Sequence, residues 1–445
     1  MKTIKTCLLN SLYLCAYALL SPMILYRRIF RGRSLGNFGQ RALGLAPVSG
    51  ADTQHCVWLH AVSVGEVNLL QPLLDQLKTR YPDSRFVIST TTATGMQLAK
   101  QKFTGETVFY FPIDFSWAIK NALRRLRPDV VVLTELEVWP NLISIASGQQ
   151  VPVVVINGRL GEKSFHSYRK RLNWIRPIFS RLDRVVAQTD EYARRFVQLG
   201  CPAERVSVSG SIKFDGATQS PCPDLVEQLS NAIGLRDDDV LWVAGSTQQP
   251  EEQMAVRTWL SVAKDNPRLR LVVVPRHPDR GRKIQQQLAE LGVSGVLRSQ
   301  TLSKFQAGHQ VARDQVLISD TIGELTAWWS LATLAFVGGS FGDRGGQNML
   351  EPAAAGASVC FGPNTWNFEK IVQAMKQAGI GRQLQSEQQL VEFVEGCLAD
   401  PDQATKQAAK AREFVEGSQG ALESTCRELA GYFHHSAHDL TYRAA

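Results

Sequence analysis

Ten short polar segments, each following an apolar run, concentrate the side chains of this chain that are suited to chemistry. In the first half they are His60-Ala61-Val62-Ser63-Val64-Gly65-Glu66, Ser89-Thr90-Thr91, Thr134-Glu135-Leu136-Glu137, Asn157-Gly158-Arg159 and Ser209-Gly210-Ser211-Ile212-Lys213. In the second half they are Gly245-Ser246-Thr247, Pro275-Arg276-His277-Pro278, Ser319-Asp320, Gly338-Gly339-Ser340 and Gly362-Pro363. Glu66 opens a helix after a strand and a glycine. A carboxylate there can take a proton from an attacking hydroxyl. The same spacing, Ser63-Val64-Gly65-Glu66, is also a capping box, in which Glu66 reaches back to the Ser63 amide and only closes the helix. Glu135 and Glu137 stand at i, i+2 after an apolar strand, so one can serve a site while the other forms a structural ion pair. Lys213 and Arg276 follow strands in opposite halves and are suited to a phosphate or a sugar carboxylate.

The glycine-rich segment Gly338–Asn348 runs into the helical Met349-Leu350-Glu351-Pro352. Glycines before a helix let backbone amides approach an anion, and Glu351 in the first turn can accept from a ribose diol. Ile322-Gly323-Glu324-Leu325 opens another helix and can offer amides and a carboxylate to a nucleotide. These features predict a nucleotide pocket wholly in the second half. No GxGxxG fingerprint and no Gly-Lys dipeptide occurs, which argues against a dinucleotide dehydrogenase and a P-loop nucleotidase. No DxD stands at a strand end, which favours a donor held by protein cations and helix dipoles over one bound through a metal.

The elements that must position these residues read as strands alternating with helices. Candidate strands are Val57–Val62, Phe86–Thr91, Thr107–Phe111, Val130–Thr134, Val151–Ile156, Arg184–Ala187 and Val206–Val208. After a polar stretch they resume at Val240–Ala244, Leu269–Val274, Val316–Ile318, Leu331–Val337 and Ala357–Phe361. Such alternation predicts parallel sheets built from right-handed crossovers. The expectation is an α/β chain of two doubly wound Rossmann-like domains facing a central cleft. Its parts would be a membrane anchor at 1–30, a first domain at 31–217, a linker at 218–239 and a second domain with C-terminal helices at 240–445.

The anchor rests on Thr6–Tyr26, 21 residues without a charge, followed by Arg27, Arg28, Arg31 and Arg33. That length suits a span or an interfacial helix, and the arginines place the body in the cytoplasm. The alternative is a cleaved signal peptide with Ala16-Tyr17-Ala18 as its processing site. Basic residues number 49 and acidic ones 41, a net charge of +8. Seven of those eight charges lie before the first acid, Asp52, so the body is balanced and a nucleic-acid partner is not indicated. The eight cysteines form no CxxC pair, so neither a zinc site nor a disulfide framework is signalled. Residues 159–184 carry eight basic side chains interleaved with Phe165, Tyr168, Trp174 and Phe179, a pattern suited to lipid headgroups or to a solvated basic face.

Taken in order, these segments resemble the 3-deoxy-D-manno-octulosonic acid (Kdo) transferases of lipid A biosynthesis. The resemblance is carried by His60–Glu66, Thr134–Asn141, Asn157–Arg159, Gly210–Asp215, Gly245–Thr247, Pro275–Pro278 and Gly345–Pro352. It implies a GT-B fold and transfer of Kdo from CMP-Kdo to a lipid A precursor, lipid IVA, with inversion and without a metal or other cofactor. It also implies the cytoplasmic face of the inner membrane. By the same resemblance Glu66 is the catalytic base, while Glu137 and Lys213 stabilise the transition state. CMP contacts fall to Pro275, Arg276, Ile322, Gly323, Glu324, Asn348, Met349, Leu350 and Glu351. The chain departs from the family pattern at Gln248, Ile322, Gln347 and Met349, which bears on fine donor contacts. Two rivals remain at this level: a nucleotide-sugar epimerase or uridine-donor transferase of the same architecture, and a membrane-tethered scaffold without activity.

Overall fold

The computed structural model describes residues 9–11, 13–15, 19, 37–48, 55–136, 138–218, 221–300 and 310–433. The expected anchor lies largely outside these residues. Among the described residues no helix is long and apolar enough to cross a membrane.

The chain divides into two compact units, residues 1–215 with 419–445, and residues 216–418. The first holds seven parallel strands: β1 (Cys56–His60), β2 (Arg85–Thr90), β3 (Thr107–Tyr110), β4 (Val130–Thr134), β5 (Val153–Gly158), β6 (Arg184–Ala187) and β7 (Val206–Val208), in the order β3-β2-β1-β4-β5-β6-β7. The second holds β8 (Val240–Thr247), β9 (Leu269–Pro275), β10 (Ser294–Leu297), β11 (Gln315–Ile318), β12 (Leu334–Val337), β13 (Ser358–Phe361) and β14 (Arg382–Gln383), in the order β10-β11-β9-β8-β12-β13-β14. The first order reverses between β1 and β4, and the second has its central switch between β8 and β12, with β11 turning back to lie between β9 and the edge strand β10. In open α/β sheets ligands bind outside the carboxyl ends of the strands at that switch point.

The strands read as unbroken apolar runs because helices cover both faces of each sheet. Alternate residues enter opposite cores. Trp58, Val87, Val131, Leu133, Val153 and Val155 pack into one, and Val57, Leu59, Phe86, Ile88, Val130 and Val132 into the other. The latter also takes Leu70, Leu73, Leu74 and Leu77 of helix Val64–Arg80.

Several boundaries differ from expectation. The expected linker at 218–239 belongs to the second unit, where Pro at the first turn and Gly234 in the left-handed C-cap bound helix Pro223–Ile233. β10 and β14 escaped notice because one is Ser-Gly-Val-Leu and the other is two polar edge residues. A Cβ at Gly295 in β10 would meet Ile318 Cδ1 of β11 at 3.0 Å and Leu288 Cδ2 at 3.2 Å, so the position is tightly packed. Leu331 ends a helix, and β12 begins only at Leu334.

The largest correction concerns the C-terminus, expected with the second domain. After helix Pro401–Gly417 the chain returns to the first unit, where Ala421, Leu422, Cys426 and Leu429 of helix Ala421–Ala430 enter the core beside Val57 and Leu70. Arg184 pairs with Glu428 through two contacts of 2.7 and 2.8 Å, and Arg80 pairs with Glu423. Because Leu429 is fully buried there, Leu429→Ala is expected to lower stability by about 2–5 kcal/mol, read from urea unfolding. An unchanged midpoint would mean that this helix is not part of the first unit's core.

Candidate active site

The residues after β1 and β4 meet across the first switch point. Ser63 caps helix Val64–Arg80, and Glu66 occupies its third position. The Glu66 carboxylate is 8% exposed. Its Oε2 accepts from the Val62 amide at 2.9 Å and lies 2.7 Å from the Thr134 hydroxyl at the end of β4. Its Oε1 accepts from the Ser63 hydroxyl at 2.8 Å. The capping-box contact therefore forms, but to Val62 and not to the Ser63 amide. A carboxylate oxygen has two acceptor sites, and Oε1 has one partner among the described residues, which leaves the other site for a substrate.

His60, at the end of β1, is fully buried and stacked on Phe111 at 4.0 Å. Its Nδ1 lies 2.9 Å from the Ser89 hydroxyl and 3.1 Å from the Ser89 carbonyl. Burial pushes its pKa down to about 3, so the ring is a neutral packing element at ordinary pH.

Lys213 pairs with Glu135 at 3.1 Å, both side chains remaining partly exposed. Glu137 falls outside the described residues; Glu135, the other acidic residue expected after β4, carries this ion pair. Lys213 sits on the short helix Ile212–Asp215, which is tied at both ends. The Ile212 amide donates to Asn157 Oδ1 at 3.2 Å, and the Asp215 carboxylate accepts from the amides of Gly420 and Leu422 at 2.8 and 3.2 Å. Glu135, Asn157 and Ser246, which close or follow β4, β5 and β8, all have positive φ, at 54°, 50° and 54°. Left-handed backbone at a non-glycine residue is uncommon and marks places where the surroundings dictate conformation.

In the second unit the expected donor segments stand at strand ends. Pro275 closes β9, and the exposed Arg276 anchors its amide on the Thr247 carbonyl at 2.9 Å, leaving its guanidinium with no ion pair among the described residues. Ile322 is 89% exposed, and Gly323 has φ of +89°. Glu324 is mostly buried: its Oε2 accepts from Ser319 at 3.1 Å and Thr321 at 2.5 Å, and Arg298 Nε stands 3.3 Å from its Oε1. Asn348 donates to Glu351 at 2.9 Å and accepts from the Leu350 amide at 3.2 Å. Met349 and Leu350 have buried side chains and can meet a ligand only through backbone.

The glycine-rich loop differs from expectation. Its amides at Gly339, Ser340 and Phe341 already bond the carboxylate of Glu251, at 2.7, 2.7 and 2.9 Å. Glu251 is not among the residues expected from the sequence; its local signal there is the Glu251-Glu252 pair soon after the strand-end Gly-Ser-Thr. In the basic stretch, Phe165 and Phe179 belong to the core, whereas Trp174, Lys163, Arg169, Lys170, Arg171 and Arg176 are exposed on helices Glu162–Arg169 and Leu172–Phe179 or beside them.

Residues 37–216 match the family model described as 3-deoxy-D-manno-octulosonic-acid transferase (kdotransferase). The chain is similar to the 3-deoxy-D-manno-octulosonic acid transferase of Bordetella pertussis, 32% identical over 384 residues, covering 84% of this chain and 86% of the relative. The chain belongs to the Kdo transferase family. It is therefore a glycosyltransferase, as the resemblance implied. Among solved structures it is similar to a glycosyltransferase from Rickettsia africae, 11% identical with a TM-score of 0.52, covering 86% of this chain and 100% of that one. A UDP-GlcNAc 2-epimerase from Neisseria meningitidis bound to UDP-GlcNAc is similar at 15% identity and a TM-score of 0.55, covering 84% and 100%. These likenesses give the GT-B fold alone. An epimerase and a transferase share it, so activity follows from the family and the site.

For this transferase the His60 geometry has a thermodynamic consequence. The folded pKa lies below the unfolded value of about 6.5, so stability is complete above that value and declines as pH falls toward 3, by about 1.4 kcal/mol per unit. Between pH 7 and 5 the native protein is expected to lose about 2 kcal/mol more than a His60→Gln variant, measured by urea unfolding at both values. Equal losses would show that the ring titrates in the folded state.

Proposed function

We propose that this Kdo transferase moves Kdo from CMP-Kdo to a lipid A precursor, lipid IVA, in one inverting displacement that needs no metal. The observation that carries the reading is Glu66: a carboxylate at the switch point, fixed by one amide and two hydroxyls, with one Oε1 acceptor site unfilled among the described residues. The acceptor hydroxyl attacks the anomeric carbon, its proton passes to Glu66, and the bond to the phosphate oxygen breaks with its electron pair leaving on CMP. Lys213, and Glu137 by its place in the family motif, stabilise the charge that develops. Lys213 is an electrostatic element that Glu135 holds in place. Arg276 supplies an uncommitted cation for the phosphate, and Glu351, oriented by Asn348, is an acceptor for the ribose. The surrounding positions Pro275, Ile322, Gly323, Glu324, Met349 and Leu350 complete the donor site in this reading. A monoester leaving group carries modest charge, so protein cations suffice where a diphosphate would favour a metal.

The acceptor is an amphiphile. The exposed Trp174 and its neighbouring cations fit a headgroup layer at the cytoplasmic face of the inner membrane, with the N-terminal apolar segment as anchor.

Incubation of the full chain with CMP-Kdo and a tetra-acylated lipid A precursor is expected to yield a product heavier by whole Kdo units in mass spectrometry. Transfer from a uridine-linked sugar but not from CMP-Kdo would reject this donor. Glu66→Gln is expected to reduce kcat by about 10²–10⁴-fold with CMP affinity retained, and an unaltered rate would remove Glu66 from the mechanism. Treatment with EDTA is expected to leave the rate unchanged; a loss restored by a divalent cation would overturn the metal-free mechanism.

A further inference from the structure

One carboxylate ties together three strand-end loops of the second unit. Glu251 begins helix Glu251–Ala263 and is 1% exposed. Its Oε1 accepts from the amides of Ser340 and Phe341, at 2.7 and 2.9 Å, and its Oε2 from those of Gly339 and Gln248, at 2.7 and 2.9 Å. Successive amides converging on one point form a nest for an anion, and here the chain fills it with its own side chain. The linkage continues outward. The Ser340 hydroxyl donates to the Val337 carbonyl at 2.7 Å and accepts from the Gly362 amide at 2.8 Å. The Ser340 carbonyl accepts from Asn364, and the Gly339 carbonyl from Gly346 at 2.8 Å. Gly338 is required by the close fit: a Cβ there would lie 2.5 Å from Thr247 Cα and 2.8 Å from Glu251 Oε2.

We propose that Glu251 is a positioning residue for donor binding. It sets the loop 339–346, and through it the segment Asn348–Glu351 that receives the nucleotide. The inference rests on the second unit being the CMP-Kdo site. Residues 338–346 include five glycines, a composition with large backbone freedom in the absence of a fixed partner. Three charge-assisted hydrogen bonds from the loop, with a fourth from Gln248, order it before the donor arrives, so the donor does not bear that entropy cost on binding. Glu251 touches no donor atom in this account; it acts through the loop.

The test compares the full chain with Glu251→Gln, in which an amide NH2 would face backbone N–H groups. Three readouts apply: hydrogen exchange of peptides spanning 338–348, CMP affinity by calorimetry, and KM for CMP-Kdo and for acceptor. Expected are lost protection in 338–348, a rise of about tenfold or more in donor KM and CMP Kd, and an unchanged acceptor KM. Unchanged donor KM, with or without a lower melting temperature, would overturn the proposal and leave Glu251 a purely structural residue. If Glu251→Gln does not fold, Ser340→Ala removes the next link, and a severalfold rise in donor KM is expected; no rise would overturn the proposal. Failure of the wild-type chain to bind CMP would instead reject the donor reading, and is distinguishable because it precedes any substitution.

Discussion

A doubly wound sheet has one seam where neighbouring crossovers depart in opposite directions, and the loops leaving that seam have no regular partner for their amides. Both units bridge it with a buried glutamate. Glu66 stands six positions after His60, the last β1 residue paired with β4, and Glu251 stands six positions after Gly245, the last β8 residue paired with β12. Each carboxylate lies in the first turn of the helix that follows the central strand and joins its own loop to the end of the strand across the seam. The difference between them is chemical. Glu251 is bonded by four amides, two on each oxygen, and has no acceptor site left. Glu66 is bonded by one amide and two hydroxyls, and among the described residues Oε1 has an acceptor site to spare. One location thus carries a loop clamp in the second unit and, in the function proposed, a proton acceptor in the first.

The same economy governs Lys213. A lysine is a flexible point charge, and its usefulness depends on what holds its backbone and its ammonium group. Glu135 engages the ammonium, Asn157 holds the preceding amide, and Asp215 joins the short helix to the amides that open the chain's last described helix. The returning C-terminus is therefore part of the scaffold beneath a proposed catalytic cation, as well as part of the first core. Glu135 and Asn157 adopt left-handed backbone to make these contacts, a local cost that the fully buried strands β4 and β5 sustain.

Most of the sheets could be read from the chain because strands buried on both faces need apolar residues at every position. Twelve of the fourteen strands hold enough apolar or β-branched residues to be legible, even the partly exposed Val-Ser-Val of β7; β10, with Ser and Gly among its four residues, and the two polar residues of β14 are not. Glu66, Lys213 and Arg276 could be read as candidates because strand ends, glycines and helix starts are local signals. The glycine-rich loop was misread in its detail for the opposite reason. Glycine reports that amides are accessible, but which anion takes them depends on a residue some ninety positions away.

The sequence by itself determined the family, the parallel sheets, and the polar segments that end at their carboxyl edges, since each is written in spacing and residue type over a few consecutive positions. Tertiary structure alone decided which unit the last helix joins, which carboxylate keeps an acceptor site, and whose side chain fills the amide nest. An amphipathic helix states that it must bury a face and not against what. A carboxylate's chemistry likewise depends on how many donors the fold brings to it from elsewhere in the chain.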